Sequence, residues 1–349
     1  MKKGLKKIFA LILTGSILTC TLSGCALFNS DSNQNTNTDT QTEDGLFVIR
    51  MPKPTGFMTN IVADDLGFFK EEGIKIEFVG DTGKITGFQL IEQGLVDCVY
   101  SHPDSIAQAR IAGADVKGVA PDVVDNEQIP HVQYIVRADS DIKSLEDVKD
   151  KKFAIATNVA CYDGFPTYYL KTHGIETGEI EWVTLATPGQ GEQSLDQGLV
   201  DVVASHPPYA GKALASGTVR KIATSWDIFH SPGTGLYMTC FSNDFIEAHP
   251  KEIQGFVNAM YKTRLWVDQN LDESKKIVSK YLDLKTDDIS SFYYDTNKNV
   301  DPKYVSEWYE LCETIEKWQP GDITEEEIYT NEFVPKDQPE LEEKLNSNK

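Results

Sequence analysis

The chain has 349 residues, with 54 Asp and Glu against 33 Lys and Arg, for a formal net charge of −21. That excess of negative charge repels nucleic acid and anionic lipid surfaces and argues against either as a partner. Nothing beyond the first two dozen residues is long and apolar enough to span a bilayer.

Lys2, Lys3, Lys6 and Lys7 open the chain with positive charge, and Ile8 to Leu18 follows as an apolar run. The run is too short to cross a membrane and leads into small residues, the pattern of a secretory signal over residues 1–24. Leu22-Ser23-Gly24-Cys25 resembles the lipobox of bacterial lipoproteins, so Cys25 is expected to become the lipid-carrying mature N-terminus. Several acyl chains on one residue hold a protein at a membrane where one chain binds only marginally. Residues 25–45 are rich in Ser, Asn, Asp, Gln and Thr, offer little to bury, and are expected to form a disordered tether. The remainder, roughly 290 residues, exceeds one comfortable core and predicts two lobes.

Beyond the tether, strands are predicted at Phe47–Met51, Ile74–Val79, Asp97–Tyr100 and Lys117–Ala120. Between them lie a helical stripe from Ile61 to Phe69 and helices at Ile85–Glu92 and Asp104–Ala112. This order then repeats. Gly87-x-Gln89-x-x-x-Gln93-Gly94-Leu95-Val96-Asp97-x-Val99-x-Ser101-His102-Pro103 recurs without a gap as Gly191-x-Gln193-x-x-x-Gln197-Gly198-Leu199-Val200-Asp201-x-Val203-x-Ser205-His206-Pro207. A period of this length means two copies of a domain-sized unit, not a solenoid of short repeats. Strands joined through helices imply mostly parallel sheets with helices on both faces. Val132–Val136 leaves the first copy and Leu236–Phe241 returns from the second, which predicts a two-strand hinge. Pro250 opens a helix to about Gln269, and further helices follow near 273–281, 302–316 and 325–329. The expected organisation is a first lobe of 46–137 with 238–335, a second lobe of 138–237, and a tail of 336–349.

Three segments resemble those of the nitrate/sulfonate/taurine and thiamine-precursor class of ABC-importer substrate-binding proteins. They are Ala63-Asp64-Asp65-Leu66-Gly67-Phe68-Phe69-Lys70-Glu71-Glu72-Gly73-Ile74, Gln93-Gly94-Leu95-Val96-Asp97, and Ile142-Lys143-Ser144-Leu145-Glu146-Asp147-Val148-Lys149-Asp150-Lys151-Lys152. Asp150 stands where a glycine is common, a departure confined to a turn. The resemblance implies an α/β, type II periplasmic-binding fold of two doubly wound lobes, with the helical C-terminal extension on the first lobe. It implies a receptor that closes on a small ligand, together with permease and ATPase partners. A pyrimidine synthase of thiamine biosynthesis resembles these receptors, but the secretion signal and the lack of a CCCFC motif argue against an enzyme here. A lipid-anchored sensor or adhesion module without a permease is the alternative, and a monomer is expected. No GxxxxGK[ST] loop is present, so the energy for transport must come from such a partner.

In open α/β sheets, ligands bind beyond the carboxyl ends of strands. Four loops are therefore candidates, and from them come Thr55, Phe57, Ser101, His102, Asp104, Thr157, Asn158, Tyr162, Ser205, His206 and Tyr209, with Trp226 close by. In both Ser-His-Pro elements Ser suits a helix cap and Pro a first helical turn, leaving the histidine at the mouth of the cleft. Equally, Ser-His-Pro is a strand-to-helix turn inherited twice. The aromatic residues suggest an apolar-walled pocket, and no Arg or Lys lies in these loops. A neutral or weakly charged heterocycle or sulfonate-like molecule is therefore expected over a bare oxyanion. No cofactor is expected. Two histidines without an evident third and fourth ligand, and no CxxC, argue against a metal. Cys98, Cys161, Cys240 and Cys312 read as buried thiols, and their spacing names no disulfide.

Overall fold

The computed structural model describes residues 41–347 except 81–84, 86, 177, 179, 186 and 188, and the described residues form one compact unit. The signal, Cys25 and the tether through residue 40 lie outside them. Twelve strands follow in order: β1 (Phe47–Pro52), β2 (Ile74–Val79), β3 (Cys98–Ser101), β4 (Val116–Pro121), β5 (Val123–Val124), β6 (Gln133–Arg137), β7 (Lys152–Ile155), β8 (Glu181–Thr184), β9 (Val202–Ser205), β10 (Val219–Thr224), β11 (Met238–Ser242) and β12 (Tyr293–Tyr294).

In the second half the sheet order is β10-β6-β9-β7-β8, with β7 parallel to both β8 and β9. The first half repeats it as β1 parallel to β2 and a three-stranded sheet β3-β11-β4. In each half one strand runs against its neighbours: β6 between β9 and β10, and β11 between β3 and β4. These two are exchanged. Residues 133–137, assigned from sequence to the first lobe, complete the second sheet, while β11 returns from the second half to complete the first. The exchange accounts for the earlier start of the second sheet. A segment crossing between halves satisfies its backbone N–H and C=O groups only by joining the sheet it enters.

Residue types account for the elements. β1 alternates buried and half-buried positions, as a strand with one covered face does. β9, Val-Val-Ala-Ser, is buried along its whole length, as a central strand between helical layers must be. β3 and β9 sit at corresponding positions of the duplication, and Asp97 and Asp201 take corresponding roles just before them. The Asp97 carboxylate receives the Arg50 backbone N–H at 2.7 Å, and that of Asp201 receives the Lys152 N–H at 2.9 Å.

The C-terminal extension starts with the helix Pro250–Gln269, which buries Ile253, Phe256, Val257, Met260 and Leu265. It lies against the first-half helices Thr59–Asp65 and Phe68–Glu71. Its later part also reaches the second half. The helix Pro302–Thr314 touches both Pro103–Ile111 and Phe165–Thr172, and the Ser290 hydroxyl donates to the Pro208 carbonyl at 3.2 Å. Contacts extend into residues 41–45, expected as the end of the tether, and into the tail that follows residue 335. Gln41 bridges to Phe47, and the Leu46 N–H reaches the Thr42 hydroxyl at 3.0 Å. Pro339–Ser347 forms a helix whose Glu342 accepts from the Tyr261 hydroxyl at 2.9 Å. Among the described residues no helix is long and apolar enough to cross a membrane.

Candidate binding cleft

β3 ends at Ser101 and β9 at Ser205, and each strand delivers its histidine to the space between the halves. His102 takes the N-cap position of the helix Pro103–Ile111 with extended backbone, φ −81° and ψ 158°. In the second copy Pro207 and Pro208 delay the helix to Tyr209, whose N–H bonds the His206 carbonyl at 3.0 Å. Neither serine caps its helix. The Pro103 helix has no side-chain cap, and the Ser205 hydroxyl instead donates to Glu192.

Two adjoining cavities of about 420 and 220 Å³ open here. Thr55, Gly56, Tyr162, His206 and Pro207 line both. Ser101, His102, His131, Thr157, Cys161, Tyr237 and Phe292 line the larger, and Glu192 and Tyr209 the smaller. A bridge closes the floor of the cleft. Asp104, fully buried on the first-half helix, accepts the Ala160 N–H of the second half at 2.9 Å. Ala160 begins a single π-helical turn, Ala160–Gly164, that carries Cys161 and Tyr162. Turns of this kind recur at functional sites.

The two duplicated histidines do not face each other across empty space. His131 stands between them, nearly perpendicular to both, with ring centroids 4.8 Å from His102 and 4.6 Å from His206. Its Nε2 is 3.1 Å from the Nε2 of His206. His102 Nδ1 lies 2.7 Å from the Leu236 carbonyl. A carbonyl only accepts, so Nδ1 carries the proton and Nε2 keeps its lone pair. The Nδ1 atoms of His131 and His206 are buried without a partner. Phe292 stacks on His131 at 5.1 Å, and the Tyr162 ring meets His206 edge-on at 4.5 Å. Burial lowers His102 to about 4 and His206 to about 3, and holds His131 well below the usual imidazole range. All three are uncharged at neutral pH.

Of the residues expected at the site, Thr55, Ser101, His102, Thr157, Tyr162, His206 and Tyr209 line the cavities. Five do not. Phe57 is fully buried in a core cluster with Val62 and Val123. Asp104 is consumed by the Ala160 bridge, Ser205 by Glu192, and Asn158 and Trp226 lie off the cavity walls. Cavity residues that sequence reasoning missed include His131, Glu192 and Phe292. His131 has no echo in the repeat, because the corresponding position is Gly235. One basic side chain, the exposed Lys53, does reach the rim of the larger cavity, just before the loop that was read as lacking charge.

The NMT1/THI5-like family model matches residues 55–273, a span from the first cavity loop through β11 into the C-terminal extension. The chain belongs to this family. Relatives of this NMT1/THI5-like protein share its fold at low identity. A Bacillus subtilis (strain 168) protein named "Putative aliphatic sulfonates-binding protein" is 24% identical over 287 residues, covering 81% of this chain and 80% of its own. The crystal structure of the periplasmic aliphatic sulphonate binding protein SsuA from Escherichia coli superposes with a TM-score of 0.63 at 18% identity, covering 83% of this chain and 94% of that one. The desulfurization enzyme DSZB superposes with a TM-score of 0.59 at 14% identity, covering 86% and 99%. The expected periplasmic-binding fold is thus the fold of this chain.

Proposed function

We propose that this protein is the extracytoplasmic solute-binding subunit of an ABC importer, lipid-anchored through Cys25, monomeric, and served by separate permease and ATPase subunits. The observation that carries the reading is the pair of cavities between duplicated strand ends, lined from both halves and bridged at the floor by Asp104 and Ala160. A cavity walled by two distinct sheets, joined through the exchanged strands, suits capture by closure of one lobe on the other. The fold is shared with an enzyme, so fold alone does not choose between binding and catalysis. The B. subtilis relative, named "Putative aliphatic sulfonates-binding protein", and the secretion signal expected over residues 1–24 favour binding.

The solute is a small organic molecule, either a neutral or weakly charged heterocycle or an organic sulfonate with a single anionic head. The larger cavity is walled mainly by aromatic and aliphatic groups, with the Thr55, Ser101 and Thr157 hydroxyls and uncharged imidazoles as polar handles. Lys53 at the rim is the single basic group among the cavity-lining residues described, enough for one anionic head but not for a bare oxyanion held by several cations.

A thermal-shift screen of alkanesulfonates against uncharged heterocycles tests this, since a ligand that binds only the native state raises Tm. A stabilising hit whose effect is lost in Tyr162→Ala is the expected result. The absence of any hit across both classes would overturn the reading.

A further inference from the structure

We infer that His102, His131 and Cys161 form a binding site for a borderline transition-metal ion of the Zn²⁺ type at the floor of the larger cavity, with its fourth position open to that cavity. The ligating atoms of the three lie within 4.8 Å of one another, and all three side chains are buried. Zinc draws nitrogen and sulfur donors in to about 2.0–2.3 Å, so side-chain movements of about 1 Å complete the set. A site of three protein ligands with one position left open is how zinc is held where it must also meet a small molecule.

The hydrogen bonds around the cluster orient it for a cation. Metal-bound imidazoles characteristically donate their second N–H to a carbonyl or another acceptor, which fixes ring and tautomer. His102 does so from Nδ1 to the Leu236 carbonyl at 2.7 Å, which turns the Nε2 lone pair to the cluster. His131 is placed to do so from Nε2 to His206 Nε2 at 3.1 Å. That leaves His131 Nδ1, a buried atom with no partner in a residue only 2% exposed, as its ligating atom. His206 is thus a positioning residue. Asp104 lies in the first turn of the helix capped by His102 and accepts the N–H of Ala160, the neighbour of Cys161, at 2.9 Å, which sets its carboxyl beside both ligands. When the ion binds, the Cys161 thiol gives its proton to solvent and coordinates as thiolate. Nothing in this assignment requires the cleft to take an organic solute, so the two readings fail separately.

The probes are Zn²⁺ and Co²⁺, added to the chelator-treated full chain under reducing conditions. One Co²⁺ per chain should give a thiolate-to-cobalt charge-transfer band in the near ultraviolet. Cys161→Ser should abolish that band. His131→Gln should weaken Zn²⁺ binding at least about tenfold, and His173→Gln, remote and exposed, should leave it unchanged. X-ray absorption of the wild-type zinc complex should show one sulfur and two imidazoles, which decides the matter even where a variant fails to fold. No band in the wild type, a band that survives Cys161→Ser, Zn²⁺ affinity unchanged in His131→Gln, or a zinc shell without sulfur would each overturn the site.

Discussion

The imidazole of His102 lies flat on the indole of Trp308, ring centroids 4.7 Å apart and planes 19° from parallel. Trp308 comes from the C-terminal extension, is 1% exposed, and donates its indole N–H to the Gly233 carbonyl at 2.8 Å. It also touches Phe165 of the second half at 5.1 Å. One side chain therefore joins the extension to both halves behind the cleft.

Trp308→Ala should remove that joint. Loss of a fully buried Trp costs about 3–5 kcal/mol, so a large drop in the chemical denaturation midpoint is expected. A loss of less than about 1 kcal/mol would mean that Trp308 is not a stabilising joint between the extension and the halves.

Asp104→Ala should leave the Ala160 N–H buried without an acceptor. The expected cost is about 1–3 kcal/mol, again read by denaturation. Asp104→Asn keeps an oxygen to accept that N–H and should restore most of the stability. Equal losses in both variants would place the role of Asp104 in its charge instead.

Asp122 makes a pH dependence with a definite sign. Burial raises its carboxyl to about 7, against the opposing hydrogen bond from the Thr59 hydroxyl at 2.6 Å and the nearby Arg264. A group raised in the fold contributes stability fully present below its unfolded pKa and lost as pH rises through its folded one. Wild type should therefore lose this contribution between about pH 4 and 7. Asp122→Asn cannot ionise, so its Tm relative to wild type should climb between about pH 4 and 7 and level off above that. Asp125, also raised by burial, is common to both proteins and cancels in the comparison; Asp295 acts on Asp122 and shares Arg264 with it, so the pair is compared in an Asp295→Asn background. A pH-independent difference would refute the shift.

Cys25→Ser should move the protein from the membrane fraction to the soluble fraction of the producing cells. Unchanged membrane association would reject the lipobox.

The duplication made the strands legible. Its undisturbed run put strands at Asp97–Tyr100 and Val200–Ala204, within two residues of the observed Cys98–Ser101 and Val202–Ser205, and an apolar run at Phe47–Met51 marked all but the last residue of Phe47–Pro52. Proline at the first turn fixed the helix start at Pro250. What stayed hidden is long-range. Phe57 and His131 are both flanked by prolines or glycines in loops, and nothing local says that one enters the core while the other enters the cleft. Trp226 is aromatic like the cavity residues, yet it opens the short helix Trp226–Phe229 and lines neither cavity. Ser205 suits a helix cap by residue type and position, but its partner, Glu192, lies in the first turn of the helix Gln190–Asp196. The contact of Pro302–Thr314 with both halves depends on a path through the C-terminal extension that no periodicity encodes.

The traded strands β6 and β11 make each ancestral module a lodger in the other's house. Expressed by itself, a fragment ending before Gln133 would lack the antiparallel member of its own sheet, and its β3 and β4 edges would lie open to any passing strand. Cutting the gene there should yield aggregates, while co-expression of both pieces should rebuild the whole.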